Sequence, residues 1–552
     1  MAYESIDVKD IVTFAVNHGW SIPEFQRGFV WTSTQVRDLA ESMWLKYPIG
    51  SLLLWNSQET VQPHSAIDAK SPELWVVDGQ QRSTAMCLLF GRKPYWWSDR
   101  ESWDNTLKKY DIRFDIESRQ PPYFITANAA QRKVKENRYI PLKEILNLDL
   151  TKENDDQSLQ NLAKKIKIEG LCDGMDAMEV YGRLHRINKI REIPIVKITV
   201  DHELEDVVEI FSRLNSRGTR VTEADIYLGV VAARNPGWVH DNFLPYLQQL
   251  KNYGFDISPN LLFRSLTAIG VKKVRFKEIH SEFWTSVGKS TGADPAEGNV
   301  WKRTKAAWES LVMNFRDNGI LSNDPLPTEA ALVTMTAMLD KYHDGNFSIA
   351  YYWFLQATRF SRYSGSAANA MEEDLRDIAD SSSLIESIQK LLTRFSYETP
   401  LTSEDFLRDY TDTRFGRFFL YLMVYKNKAL DWEKESHRIG FEGATLLQDY
   451  RPQYHHIFPK GYLEARDIKE ENINALANIA VIGPTINIRI SAKSPMNYIA
   501  RYEITEDKLK QQYISPDIVS LPLEKYLDWV NARANKLAEI GNQYLNELKN
   551  GL

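Results

Sequence analysis

Apolar positions in the first part of the chain come in two spacings. Continuous apolar runs of strand length occur at Ser51–Trp55, Leu74–Val77 and Ile193–Val200, the pattern of strands buried on both faces. Between them lie stretches of helical spacing. Val36, Leu39, Ala40 and Met43 fall on one side of a helix capped by Thr32 or Ser33. A helix is expected from Ser83 or Thr84 to Phe90, and others over 152–168, 175–190 and Glu205–Leu214. Asn215-Ser216-Arg217-Gly218 breaks the last of these, and Thr222 to Asp225 has capping-box spacing for the next. Pro23 and Gly28 mark a loop, and Pro236-Gly237 marks a boundary. Beyond it the spacing is helical almost throughout 240–395, with a run of small residues at Ser364–Ala368 read as a loop. Helices resume at Ser403, Arg414–Tyr425 is a strongly apolar one, and 520–549 closes the chain with another. The expected class is α+β, predominantly helical.

Bulk properties narrow the functional field. A chain of 552 residues predicts two to four domains, and 43% hydrophobic with 26% charged residues suits large soluble cores. A net charge of −6 means that contact with nucleic acid must come from local patches. Two cysteines, Cys87 and Cys172, make neither a disulfide framework nor a zinc cluster, which fits a reducing, cytoplasmic setting. The opening residues lack the basic-then-apolar form of a signal peptide. The longest apolar run, Phe418–Tyr425, is too short to span a bilayer, so no membrane partner is expected.

The first candidate for chemistry is Asp78-Gly79-Gln80-Gln81-Arg82, between an apolar strand and a helix start. Backbone N–H groups at such a helix start attract anions. Gln81 and Arg82 add side-chain donors, and Arg grips phosphate bidentately. Asp78 has the chemistry to hold a metal or a sugar hydroxyl. The competing reading is a turn with a surface Arg–Asp pair. Gly288-Lys289-Ser290 has the ending of a phosphate-binding loop, but Phe283 stands where its first glycine is required. The basic runs Arg132-Lys133-Val134-Lys135 and Gly270–Lys277 are weaker phosphate-contact candidates or solvated faces.

The second candidate is Tyr454-His455-His456-Ile457-Phe458-Pro459-Lys460, followed by Asn478, Asn487 and Lys493. Neutral imidazole accepts a proton near neutral pH. An Asn oxygen suits a hard cation such as Mg²⁺, while imidazole leaves Mn²⁺ or another transition ion open. A partly buried structural His pair is the alternative.

This His–His–Asn–Asn succession resembles the HNH, or ββα-metal, nuclease motif. The resemblance makes His455 a metal ligand, His456 the general base, Asn478 the residue that fixes the turn, and Asn487 the second ligand. Lys493 closes the motif; the family's Ile-Ser-Asp-Lys is Ile490-Ser491-Ala492-Lys493 here. Gln26-Arg27 and Trp31 followed by Asp78–Arg82 resemble the ParB/sulfiredoxin-like nucleotidase domain of GmrS, one half of the GmrSD type IV restriction enzymes. Gln80 replaces the cysteine that sulfiredoxin carries, which excludes sulfur redox chemistry there. The stretch Ile210–Gly218 resembles another motif of that domain and adds Asn215 and Arg217 to the nucleotide pocket, although a plain helix–helix turn accounts for it equally well.

The resemblances imply a GmrS-like ParB/sulfiredoxin-like α/β domain over 1–235, a helical connecting region over 236–400, and a GmrD-like helical domain with the ββα-metal (HNH) motif over 401–552. They imply an NTP-regulated, Mg²⁺- or Mn²⁺-dependent endonuclease acting on modified phage DNA, related to Ssp-type phosphorothioate-sensing factors. The nucleotide is left open among GTP, UTP, CTP and ATP, as is a homo-oligomeric state. A nucleotide-switched, non-catalytic DNA-binding regulator and an RNase or abortive-infection toxin are the alternatives.

Overall fold

The computed structural model describes residues 2–17, 19–22, 29–55, 74–97, 102–127, 138–168, 175–188, 193–198, 223–235, 237–288, 299–433, 437–442, 445–447, 451–490, 493–550 and 552. The chain is α+β and predominantly helical. It divides into two compact units, Met1–Asp241 and Asn242–Leu552.

The first unit is built on a mixed sheet. Its strands are β1 (Ala2–Ile6), β2 (Trp20–Ser21), β3 (Leu52–Trp55), β4 (Leu74–Asp78) and β8 (Ile193–Ile198), in the order β1-β8-β3-β4-β2. The pairs β1/β8 and β3/β4 are antiparallel, while β8/β3 and β4/β2 are parallel. Every residue of β3 is buried, as its unbroken apolar run requires. A second, antiparallel sheet has the order β6-β5-β7, from β5 (Ile112–Asp115), β6 (Phe124–Thr126) and β7 (Tyr139–Pro141).

The helices of this unit are α1 (Val8–Val16), α2 (Ser33–Trp44), α3 (Gln80–Phe90), α4 (Trp103–Lys109), α5 (Leu142–Leu146), α6 (Glu153–Ile168), α7 (Ala177–Asn188) and α8 (Glu223–Arg234). Thr32 caps α2 through a reciprocal box with Gln35. Helix α3 is buried at Gln80 and from Ser83 to Phe90, as a helix apolar on nearly all sides must be.

The second unit is a helical assembly. It contains α9 (Leu244–Asn252), α10 (Pro259–Val271), α11 (Ser281–Ser286), α12 (Val300–Asp317), α13 (Ala331–Lys341), α14 (Phe347–Arg359), α15 (Ala367–Ala379), α16 (Leu384–Leu392), α17 (Ser403–Leu407) and α18 (Arg414–Lys426). Two short antiparallel strand pairs follow: β9 (Phe441–Glu442) with β10 (Thr445–Leu446), and β11 (Gln453–His456) with β12 (Ile479–Ile482). Helices α19 (Lys460–Glu464) and α20 (Glu470–Ile473) lie between β11 and β12; α21 (Pro484–Ile490), α22 (Pro495–Arg501) and α23 (Glu506–Gln511) come after. The last helix, α24 (Tyr526–Lys549), packs against α14, α17 and α18. Its buried positions, including Tyr526, Val530, Arg533, Leu537, Gly541 and Tyr544, recur at helical spacing.

Several expectations are displaced. Helix α3 begins at Gln80 rather than at Ser83 or Thr84, because Gly79 at φ +102° turns the chain directly off β4. Gln80, Gln81 and Arg82 therefore sit in the first helical turn. On α2 it is Trp44, not Met43, that is fully buried with Val36, Leu39 and Ala40. The β5–β7 sheet had no regular alternation to announce it. In the basic segment 270–277, Val274 and Phe276 are buried, Arg275 pairs with Glu372, Lys273 pairs with Glu278, and Lys272 and Lys277 are exposed. Residues 205–214 and the run 132–135 lie outside the described residues.

Candidate active site

Strand β12, Ile479-Ala480-Val481-Ile482, is wholly buried and holds β11 against the interior. The register pairs His455 with Ala480 and His456 with Ile479. Gly483 then turns the chain into α21, so the paired strands β11 and β12, with α19 and α20 in the connection between them, lead directly into a helix. A Cβ at Gly483 would lie 2.1 Å from Asp431 Oδ2. Asp431 Oδ1 accepts hydrogen bonds from the backbone N–H of Gly483 (2.9 Å) and of Trp432 (2.7 Å). Gly483 is thus the residue that lets a carboxylate pin the start of α21.

Asn478 is fully buried and fixes the loop that follows the two histidines. Its Oδ1 accepts from Phe458 N at 2.9 Å, and its Nδ2 donates to Phe458 O (3.1 Å) and Ile473 O (2.9 Å). Arg533, on α24, supports the same region from behind. It donates to the carbonyls of Ala477, Ile479, Gln512 and Tyr513. Complete burial pulls its guanidinium down to about 9, so four carbonyl acceptors are what compensate the enclosed charge.

Neighbouring residues of a strand point to opposite faces, and the two histidines diverge accordingly. His455 is buried edge-on to the rings of Trp432 and Tyr498, which stack on each other. Its Nδ1 lies 2.8 Å from Asn487 Oδ1 on α21, while its Nε2 is buried without a hydrogen-bond partner. Burial pulls the imidazole down to about 4, against the opposing effect of Asn487, and the neighbouring His456 adds to the depression. His455 is therefore a neutral nitrogen donor at pH 7, with an oxygen donor beside it.

His456 faces the other way, edge-on to the Tyr410 ring at 5.3 Å. Its Nε2 lies 3.2 Å from Asn474 Oδ1, and Asn474 Nδ2 donates to Asp409 Oδ2 at 2.9 Å. Asp409 accepts only, so it orients the Asn474 amide with the oxygen toward His456. The imidazole then carries its proton on Nε2 and keeps a lone pair on Nδ1. Burial lowers the His456 pKa, the hydrogen bond that its Nε2 donates to Asn474 opposes this, and the charge of Lys460 adds to the lowering. Burial alone would raise the Asp409 carboxyl, but bonds from Thr411 and Asn474 bring it below the usual carboxylate range.

Of the other motif residues, Lys493 is not at the imidazoles. Its Nζ donates to the Arg489 (2.9 Å) and Ile490 (3.2 Å) carbonyls at the end of α21. Asn474, Asp409, Tyr410 and Arg533 escaped sequence reasoning. Asn474 lies four residues before Asn478, but only the folded loop shows which Asn faces His456.

In the first unit, Arg82 Nη2 pairs with Asp78 Oδ2 at 2.7 Å and Nη1 donates to the Ile49 carbonyl at 2.9 Å. A Cβ at Gly50, whose φ is +81°, would lie 2.4 Å from Arg82 Nη1. Gln81 Oε1 accepts from Val30 N at 2.9 Å, and Gln80 is buried. The Asp–Arg pair of the structural alternative is thus present, at the first turn of α3. Gln26, Arg27, Asn215 and Arg217 lie outside the described residues.

Residues 8–231 match the family model described as GmrSD restriction endonuclease, N-terminal domain. The chain is also similar to the uncharacterized protein MJ0686 of Methanocaldococcus jannaschii, with 22% identity over 92% of this chain and 89% of that one. Among the described residues no helix is long and apolar enough to cross a membrane.

Proposed function

We propose that this chain is a metal-dependent DNA endonuclease of restriction type, with an HNH-like centre in its second unit governed by a nucleotide site in its first. The observation that carries the nuclease reading is the strand–strand–helix arrangement of β11, β12 and α21, which sets His455 against Asn487 and leaves His456 a fixed tautomer. The match of residues 8–231 to a restriction endonuclease domain supports it. The ParB/sulfiredoxin-like character of the first unit and its nucleotide pocket around Asp78–Arg82 belong to the same reading.

His455 and Asn487 fit a divalent cation. The two donors that lie beside each other are His455 Nδ1 and Asn487 Oδ1, 2.8 Å apart, and the imidazole is neutral where a ligand must be. Among the described residues no cluster of three or more His, Cys, Asp and Glu side chains occurs. Water and phosphate oxygen would complete the shell of an ion held by these two residues, as is usual for Mg²⁺. Bound there, the cation supplies charge neutralisation at the phosphoryl group.

His456 takes the proton of the attacking water on Nδ1 as the new P–O bond forms. The scissile P–O bond breaks with its electron pair on the leaving oxygen. Asn474 holds the ring for this transfer, and Asn478 holds the loop that presents it.

The test is nicking of plasmid DNA with and without Mg²⁺ or Mn²⁺, by the wild-type chain and by His456→Ala. Metal-dependent nicking lost in the variant supports the reading. DNA binding without any cleavage would make the chain a regulator instead. Preference for RNA under the same conditions would make it a ribonuclease. Modified phage DNAs, each with and without GTP, UTP, CTP and ATP, identify the substrate and the nucleotide.

A further inference from the structure

Beside β11 lies a cleft of about 370 Å³ lined by Asp324, Pro325, Leu326, Arg414, Arg417 and Tyr454. Arg414 is exposed and Arg417 half-buried, both on the first turns of α18, and the Arg417 guanidinium lies 5.9 Å from the centre of the Tyr454 ring. The one acid of the cleft is already engaged, since Asp324 Oδ2 pairs with Arg451 at 2.5 Å. Three arginines against one aspartate leave the region with a surplus of two positive charges. Neither Arg414 nor Arg417 is ion-paired among the described residues.

The position of this cleft relative to the candidate base is set by the strand. Tyr454 and His456 are two residues apart and so share one face of β11. Their partners agree: Tyr454 Oη donates to the Arg417 carbonyl at 3.2 Å, while His456 meets Tyr410, both from the 409–417 segment. Two strand residues span about 6.6 Å, the same order as the step from one backbone phosphate to the next. A phosphate seated on the arginines would leave its neighbour near His456.

We propose that Arg414 and Arg417 bind a nucleic-acid backbone phosphate adjacent to the scissile one, and so set which bond reaches His456. This rests on the nuclease reading above. Arginine suits the task because its planar fork takes a phosphate bidentately, and such contacts position a strand without reading its sequence.

The experiment measures binding of a duplex oligonucleotide to the His456→Ala chain as salt is varied. With Arg414→Ala and Arg417→Ala added, affinity near 0.1 M salt is expected to fall at least ten-fold. The slope of log K against log salt is expected to shrink by about 1. Arg414→Lys with Arg417→Lys should keep the slope, because the charge remains, while recovering only part of the affinity. Inorganic phosphate should compete weakly with wild type and not with the double alanine variant. Arg414 is exposed, so its single replacement keeps the test readable if the double variant folds poorly. Tyr454→Phe serves as the structural control; it removes the bond to Arg417 without removing charge, and should leave the slope intact. A folded double alanine variant with the wild-type slope overturns the proposal while the nuclease reading stands, provided that the otherwise wild-type chain nicks DNA. A wild-type chain that neither binds nor cleaves nucleic acid overturns both.

Discussion

His456 Nε2 lies 3.2 Å from Asn474 Oδ1, and Asn474 is itself held by Asp409. The carboxylate orients the imidazole through the amide between them, and its charge also favours the protonated ring. Asn474 is thus a positioning residue for the proposed base. Asn474→Leu should lower kcat by about ten- to hundred-fold, the size of loss that follows when partners orienting a metal-ligating histidine are removed. Asn474→Asp places a negative charge against the ring, raises the imidazole pKa and should move the acid limb of the rate profile upward. A role confined to folding would lower the amount of active enzyme without moving that limb, so the pH profile separates the two.

The wild-type pH profile has a defined sign. Protonated His456 cannot accept a proton, so the rate falls as pH drops through its pKa. Burial holds that pKa below the ordinary 6.5, and the acid limb of kcat/KM should therefore lie below pH 6.5. Stability without metal should follow His455. Its folded-state pKa is depressed to about 4 from 6.5. The unfolded chain takes up its proton first, so stability present above 6.5 is lost as pH falls toward about 4. The loss is roughly 3 kcal/mol at most, and His455→Gln should flatten that part of the curve of Tm against pH.

Metal preference should follow the ligand at 455. An imidazole beside an amide oxygen is a softer donor set than a carboxylate beside the same oxygen. The wild-type chain should work better with Mn²⁺ than with Mg²⁺. His455→Asp should shift the ratio toward Mg²⁺, and His455→Ala should lower activity with both. Nicking assays across a titration of each ion measure it. Equal Mn²⁺/Mg²⁺ ratios in wild type and His455→Asp would remove residue 455 from the metal site.

How much of this was legible beforehand follows from how local each signal is. Strands β3 and β4, with unbroken apolar runs, and helices with clear periodicity, such as α2 and α18, were readable. So was the order of His455, His456, Asn478 and Asn487, because a motif is a local string. The start of α3 was misplaced because a positive φ at Gly79, rather than a side-chain cap, begins the helix. Asn474 and Asp409 were invisible because Asn474 meets His456 across 18 residues of chain and Asp409 meets Asn474 across 65, separations no periodicity encodes. Lys493 was legible as part of the motif, but its end-of-helix position needed the fold.

Arg82 has a structural task as well as its proposed ligand. It neutralises Asp78, whose side chain is 29% exposed, and bonds the Ile49 carbonyl. Arg82→Ala should destabilise the first unit by about 1–3 kcal/mol, the cost of leaving partly buried polar groups without partners. It should also weaken nucleotide binding. Asp78→Ala releases Arg82 instead, so its effect on nucleotide affinity is the cleaner measure. Calorimetry at a temperature where both variants are folded separates the effects. Wild-type affinity in both would leave the turn a structural element only.

The final prediction is that nucleotide and DNA sites are thermodynamically coupled. One chain holds a candidate nuclease centre and a domain similar to the N-terminal domain of a restriction endonuclease. His456 has no means of telling one phosphodiester from another. On this prediction discrimination comes from a conformational equilibrium, and a ligand shifts such an equilibrium only by its difference in affinity for the two states. Moving it from about 1:99 to 99:1 takes roughly 5.5 kcal/mol, which a nucleotide and a modified DNA can share. Linkage then requires each ligand to change the affinity of the other by the same factor, although the rates need not match. The measurement is a pair of titrations on His456→Ala: NTP with and without modified DNA, and modified DNA with and without NTP. Equal factors different from one are expected. Factors of one in both titrations, in a chain whose wild type nicks DNA, would mean two independent sites, and discrimination would then have to reside in direct contacts to the modified base.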